Sequence, residues 1–416
     1  MKSTWLARTV VISFLLATCA NAQNVVVQWD AIASTTIISH AKEASVASGV
    51  WFAYVHLAAF DAVNAVEHRY QPYLFTANPP AGANRDAAAV AAAHRVLVTY
   101  FPSQQGSPTQ PGTLDWQYAT SIAAISDTPA NISAGIATGE ASAQALITAR
   151  ANDGLLANVT YTPPQGPGFW QPTPPKFGPP LTPWLGQMTP FTMTSAAQFF
   201  PDEGPDALDS QQWIDDYNQV KVLGAINSTV RTQEQTTIGL FWTEHTGQQY
   251  GRAFRNLAVQ KGLNTSDTAR LMAMLWAGYA DAGIACWNAK FSFSFWRPVT
   301  AIQAGGGNPA LVADPSWLPL AATPSHPEYP AAHGCVTGAV STILAGYFGG
   351  PKLTFSVDSN VTATNQTFTS TTALMNQVEL ARIYAGFHYH HSVIQGKVLG
   401  TKVGHQLLER YFTPVQ

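Results

Sequence analysis

Three short blocks in the last third of the chain hold residues whose types and spacing could do chemistry. Lys290 and Arg297 stand seven apart with Pro298 behind them, and Phe291, Phe293, Phe295 and Trp296 lie between. Next comes a proline-spaced run containing His326, Pro330, Ala331, Ala332 and His333, and then Arg382 and His388, six apart with Gly386 between them. Gathered in space, Lys290, Arg297 and Arg382 would supply three positive charges and a fan of N–H donors. That arrangement suits a tetrahedral oxyanion such as phosphate or vanadate. The aromatic residues around Lys290 and Arg297 imply partial burial, where a cation needs an anionic partner. A helix starting near 331–333 would add free N–H groups and a partial positive charge. His388 could attack or ligate the central atom, while His333 moves protons.

The elements that must position these groups read as helices. Apolar residues recur at steps of three and four over 45–67, and alanine-rich helical segments follow over 85–100 and 130–151. Helical patterning resumes over 206–224 and 229–242, and a long helix starts near Thr265 or Ser266 as N-cap and runs to Lys290. Helices over 331–348, 371–385 and 393–412 complete the set, with Gly386 expected to end one of them so that His388 can turn inward. The stretch 353–369 reads as the one β-hairpin, turning around Asp358, Ser359 and Asn360. Proline density over 161–190 forbids regular structure, but Phe169, Trp170, Phe177, Trp184 and Phe191 are too apolar for a solvated tether. The expectation is an ordered arm lying across the helices and roofing the site.

Bulk composition bounds the rest. The 416 residues are 46% hydrophobic and 11% charged, enough for a large core, and the net charge of −3 gives no electrostatic reason to expect nucleic acid. Lys2, Arg8, an apolar run over 10–17 and Ala20-Asn21-Ala22 read as a secretory leader over 1–22, which predicts a secreted or periplasmic protein. No later apolar run reads as a membrane span. The remaining cysteines, Cys286 and Cys335, are equally consistent with a disulfide and with two buried thiols. His390 and His391 read as surface or supporting groups, and no HExxH or CxxC pattern points to zinc. Six Asn-X-Ser/Thr sequons, at Asn131, Asn158, Asn227, Asn264, Asn360 and Asn365, would matter only in a glycosylating pathway.

Taken in order, the three blocks resemble the vanadium-dependent haloperoxidase and type 2 phosphatidic acid phosphatase superfamily, whose signature is K-x6-R-P, P-S-G-H and S-R-x5-H. Lys290, Arg297 and Pro298 match the first, Pro330 and His333 the second, and Arg382 and His388 the third. Ala331, Ala332 and Ala381 depart from it, replacing serine, glycine and serine. Trp287, the Pro-Thr-Pro-Pro run at 172–175 and the Val55-His-Leu-Ala-Ala-Phe-Asp-Ala-Val-Asn64 segment resemble the soluble haloperoxidase branch. The resemblance implies an all-α helical bundle with one small β-hairpin. It would comprise N-terminal helices over 23–155, the arm over 156–205 and a catalytic bundle over 206–416, all within one large domain.

It also implies roles. Lys290, Arg297, Arg382 and the backbone at Ala332 would hold the oxyanion, His388 would bond vanadium or attack phosphorus, and His333 would carry protons. His326, seven before His333, resembles bromide-oxidising members, where chloride oxidisers tend to have phenylalanine. The leading expectation is therefore a vanadate-dependent enzyme that oxidises bromide or iodide rather than chloride with hydrogen peroxide. An exported acid phosphatase working through a phosphohistidine at His388 would use the same residues and need no cofactor. A non-catalytic phosphate-binding protein is the third reading. The alanine at 331 removes a hydroxyl donor worth roughly 1.5–3 kcal/mol to a bound oxyanion. Asp281 and Glu328 are candidate carboxylates to buttress Arg382 or His333.

Overall fold

The computed structural model describes residues 24–415, so the leader expected over 1–22 lies outside the described residues. Helix α1 (Val25–Ser34) runs into a π-helical turn and is followed by α2 (Ser48–Glu67), α3 (Arg85–Tyr100), α4 (Leu114–Ala123) and α5 (Pro129–Ala149). Beyond the arm come α6 (Gln211–Leu223), α7 (Gln233–Phe241), α8 (Thr246–Gln260), α9 (Thr265–Phe293), α10 (Pro298–Ala304) and α11 (Ala332–Tyr347). An antiparallel hairpin of β1 (Phe355–Ser359) and β2 (Thr364–Phe368) precedes α12 (Thr371–Tyr384) and α13 (His390–Arg410). The architecture is all-α with one small hairpin.

Local sequence explains most boundaries and the differences from expectation. The cap of α9 is Asn264, one residue before the expected Thr265, and its side chain accepts the Asp267 N–H at 2.9 Å. The hairpin turns at 360–363 rather than at 358–360, leaving Asp358 in β1 opposite Asn365. Helices α1, α4, α8 and α10 escaped the sequence reading. Helix α8 starts at an unusual cap, His245, and carries Gly247 and Gly251, while α10 is too short for periodicity to register.

Helix α2 is the centre of the first half, packed by α3, α5 and α9. It is long and apolar enough to cross a membrane, with a mean hydropathy of 1.2, but it is buried inside the other helices. The polar residues of its 55–64 segment are bound within the protein: Asp61 accepts the backbone N–H groups of Tyr73, Leu74 and Phe75 at 2.7, 2.8 and 2.8 Å.

In the second half, α11 packs on α13, α9 and α12. The α11–α13 crossing is made through glycine. A Cβ added at Gly400 would sit 1.9 Å from the Cys335 carbonyl oxygen, and one at Gly396 would sit 2.5 Å from that of Ala331. The two backbones therefore touch. Between α9 and α11, Cys286 and Cys335 are free and buried, which settles the cysteine question in favour of thiols. Cys286 Sγ donates to the Pro330 carbonyl at 3.5 Å.

The arm is ordered and crosses the helix ends. Trp170 is fully buried, its backbone N–H donates to Ser294 O at 2.7 Å, and the Leu181 backbone N–H donates to Ser325 O at 2.8 Å.

Candidate oxyanion site

Each cation reaches the site from the end of a helix. Lys290 sits in the last turn of α9, three residues before its end. Its Nζ donates to the carbonyls of Pro327 and Glu328 at 3.0 and 2.8 Å. Arg297 precedes Pro298, which opens α10 and holds Arg297 extended at φ −81°, ψ 154°. Its guanidinium donates from Nε to His326 O at 2.8 Å and from Nη1 to Phe387 O at 2.9 Å. Arg382 lies in the last turn of α12, with Nη1 donating to Trp242 O at 2.5 Å and Nε buried without a protein partner.

The histidines arrive by two turns of chain. Helix α12 ends as expected at Gly386, whose φ of +77° turns the chain toward the site. A side chain there would also meet the Gly224 carbonyl at 2.7 Å. His388 Nδ1 then lies 2.7 Å from Glu328 Oε1, and His388 Nε2 lies 3.2 Å from Arg297 Nη1. A carboxylate accepts and a guanidinium only donates, so the proton sits on Nδ1 and Nε2 offers its lone pair. His333 stands at the start of α11. Its ring lies against the Trp242 carbonyl, while its Nε2 is buried and unpartnered. His326 packs its ring 4.9 Å from that of Trp287, and Arg297 Nη2 lies 3.0 Å from its Nδ1 and 3.3 Å from its Nε2, with Nδ1 also 3.1 Å from Pro327 O.

Glu328 is the carboxylate of the site, but it buttresses His388 and also accepts the Tyr389 N–H at 3.1 Å. Neither Arg382 nor His333 has the carboxylate partner expected from sequence; each leans on the carbonyl that ends α7 instead. Asp281 is elsewhere, accepting from Phe191 N and from Thr192 N and Oγ1 to tie the arm to α9. Such a backbone partner leaves no mark in the sequence. His245, on the wall of the same cavity, went unnoticed as well, although a Glu-His pair between two helical stretches was a usable signal. His390 pairs with Glu379 at 3.0 Å and His391 donates its backbone N–H to Asp216 at 2.8 Å, so both stand apart from the cluster.

Electrostatically the cluster is unbalanced. Lys290, Arg297 and Arg382 are each at most 2% exposed, and among the described residues Glu328 is the one carboxylate in contact with them or with His388. Burial, with Arg297 adding to it, pushes Lys290 down to about 8 and Arg382 to about 9, and burial pushes Arg297 down to about 10 against the pull of Glu328. Burial pushes Glu328 up to about 7, against the pull of Lys290 and Arg297. It also holds His326, His333 and His388 well below the ordinary imidazole range, with cation repulsion in the same direction. Three cations against one carboxylate leave an excess of positive charge that a multiply charged oxyanion would neutralise. Ala332, His333, Arg382 and His388 line the cavity, while Lys290 and Arg297 lie one layer behind His326 and the 326–328 carbonyls.

The fold and this cluster define a helical-bundle protein with a buried cationic site. Residues 270–416 match the family model of the VCPO second helical-bundle domain. A vanadium chloroperoxidase of Curvularia inaequalis is 31% identical over 211 residues, which is 42% of this chain and 34% of that protein. Among solved structures, a bacterial vanadium-dependent iodoperoxidase superposes with a TM-score of 0.80 at 23% identity, covering 94% of this chain and 97% of that one. A holo bacterial vanadium-dependent chloroperoxidase gives 0.71 at 18% identity, covering 90% and 93%. The chain thus has the fold of these solved haloperoxidases, and its residues 270–416 match the VCPO second helical-bundle domain.

Proposed function

We propose that this protein is a vanadate-dependent haloperoxidase that uses hydrogen peroxide to oxidise bromide or iodide in preference to chloride, and that it is exported by its N-terminal leader. The observation that carries the reading is the excess of buried positive charge around His388, whose Nδ1 is held by Glu328 and whose Nε2 faces the Arg297 guanidinium. Vanadate would be held at the cavity wall by His388, Arg382 and the first N–H groups of α11 at Ala332 and His333, with Lys290 and Arg297 adding their charge from one layer behind. When bound, vanadate supplies a Lewis-acid centre that activates peroxide toward halide without a change in oxidation state.

The chain's own contribution is positional and protonic. Glu328 orients His388 and keeps Nδ1 protonated. Arg297 reaches both His326 and His388, so one guanidinium fixes two rings. His333, neutral and with Nε2 open, takes a proton from peroxide as it binds and returns it to the departing oxygen. The alanines at 331 and 332 leave only backbone donors at the end of α11, which favours weaker oxyanion binding than a serine would give. His326 on the cavity wall supports the preference for the more easily oxidised halides.

Purified protein assayed with peroxide and bromide should be activated by added vanadate, and His388→Ala should lose activity by on the order of a thousandfold or more. If vanadate instead inhibits hydrolysis of a chromogenic phosphoester and no halide is oxidised, the phosphatase alternative replaces this reading.

A further inference from the structure

The cavity that reaches His326, His333, Arg382 and His388 has a volume of about 380 Å³. An oxyanion with four oxygens displaces roughly four waters, on the order of 120 Å³ at about 30 Å³ each. The remainder exceeds the cavity of about 150 Å³ that suffices for benzene. Space for a ring therefore remains beside the anion.

The outer walls indicate what kind of group fits. Apart from Thr182 Oγ1, which is buried without a partner, their polar side chains are engaged within the protein. Glu244 is gripped by Arg252 through two bonds of 2.9 Å, and Thr243 donates to Leu240 O at 2.7 Å. His245 lies 3.0 Å from the Glu43 carbonyl through Nε2 and accepts the Gln248 N–H on Nδ1 at 3.3 Å. Ser45 Oγ lies 2.6 Å from Thr246 Oγ1, and the Trp287 indole N–H is spent on Leu181 O at 3.2 Å. What is left to a guest is the apolar surface of Val46, Leu181, Trp287, Ala321, Pro324 and Phe387. Leu181 is 43% exposed at the mouth. The arm beside it holds Thr182 at φ +49°, a conformation a β-branched residue adopts only where its surroundings impose it.

We propose that this outer space seats an apolar aromatic group of one or two rings next to the oxyanion, so that the acceptor of the oxidised halogen is bound by the enzyme. The inference rests on the haloperoxidase reading. In the overall step, halide gives two electrons to the O–O bond of peroxide. A carbon–halogen bond forms as the ring C–H bond breaks, and the ring proton and one from solvent complete two waters. A ligand-sized cavity with mostly apolar walls and a few polar groups at one end is the usual form of such a site.

The test uses two probes that share an oxyanion and differ in the ring. Calorimetric titration of the vanadate-free protein should show phenylphosphonate binding about 10-fold or more tighter than methylphosphonate. Ala321→Phe, which fills the outer space, should bring the ratio close to one. Equal affinities in the unmodified protein overturn this inference and leave the oxyanion site standing, whereas no binding of either probe overturns both. With vanadate, peroxide and bromide, the ortho-to-para ratio of brominated phenol should depart from that given by reagent hypobromite and approach it in Ala321→Phe. Identical ratios for enzyme and reagent overturn the bound acceptor.

Discussion

Two buried clusters in this chain each combine histidine, arginine and carboxylate, and only one of them closes its charge. Near the N-terminus, Asp30 is fully buried and receives Trp276 Nε1 at 2.8 Å, Arg255 Nη1 at 2.5 Å and His56 Nε2 at 2.8 Å. Burial alone would raise the Asp30 carboxyl, but these donors and charges hold it below its usual range. Around Lys290 the balance runs the other way: burial prevails, Glu328 climbs to about 7 and Arg382 falls to about 9. The first cluster is complete in the folded chain. The second holds buried positive charge that the folded chain leaves unbalanced, and that imbalance marks it as a candidate site more sharply than the residue types do.

Breaking each cluster should therefore have opposite consequences for stability. Asp30→Asn strands Arg255 and His56 in the interior and should cost about 3–5 kcal/mol, read from urea unfolding of the vanadate-free protein. Adding vanadate at about 100 times its dissociation constant should stabilise the unmodified protein by about 2.7 kcal/mol and raise its Tm. The same addition should leave an Arg382→Met variant nearly unmoved.

The pH dependence follows from the histidines that the site keeps neutral. Their folded pKa values lie below the unfolded value, so the unfolded chain binds more protons and stability falls as pH drops below about 6.5. Each contributes about 1.4 kcal/mol per pH unit until it protonates. Glu328 and Glu43, raised to about 7, and Asp61 and Asp281, raised to about 6, oppose this because their folded forms hold the proton longer. His326→Phe should therefore make the urea midpoint fall less between pH 6.5 and 5.5, and an unchanged slope would contradict the neutral assignment. Arg382→Met, which removes a cation with no carboxylate partner, should raise the stability of the vanadate-free protein by about 1–2 kcal/mol. Ala331→Ser should tighten vanadate binding by about 10-fold, measured by equilibrium dialysis.

What the sequence made legible were the groups and the stops. Lys290, Arg297, His333, Arg382 and His388 could be picked out because charge and imidazole are rare in so apolar a chain, and Gly386 announced the turn that follows α12. Their partners were harder to read. Glu328 was visible but matched to the wrong group, since neither of its targets lies near it in sequence. The Trp242 carbonyl that serves Arg382 and His333 belongs to a backbone atom, and any residue could have supplied it. Trp287 was readable as a site neighbour, but its hydrogen bond to Leu181 depends on where the arm crosses. Helix α8 hid behind two glycines and an uncommon cap.

The glycine contact between α11 and α13 has a mechanical consequence. His333 rides on the first turn of α11, and α13 begins two residues after His388. Ala331 N–H donates to Ser392 O at 3.0 Å just where the two helices start. The gap between the proton carrier and the anchoring imidazole is therefore gauged by bare main chain, with no side chain in between to flex. A single methyl at Gly400, more than two helical turns along α13, would act as a wedge driven into the far end of a pair of pliers, opening the jaws at the reaction centre while touching nothing there.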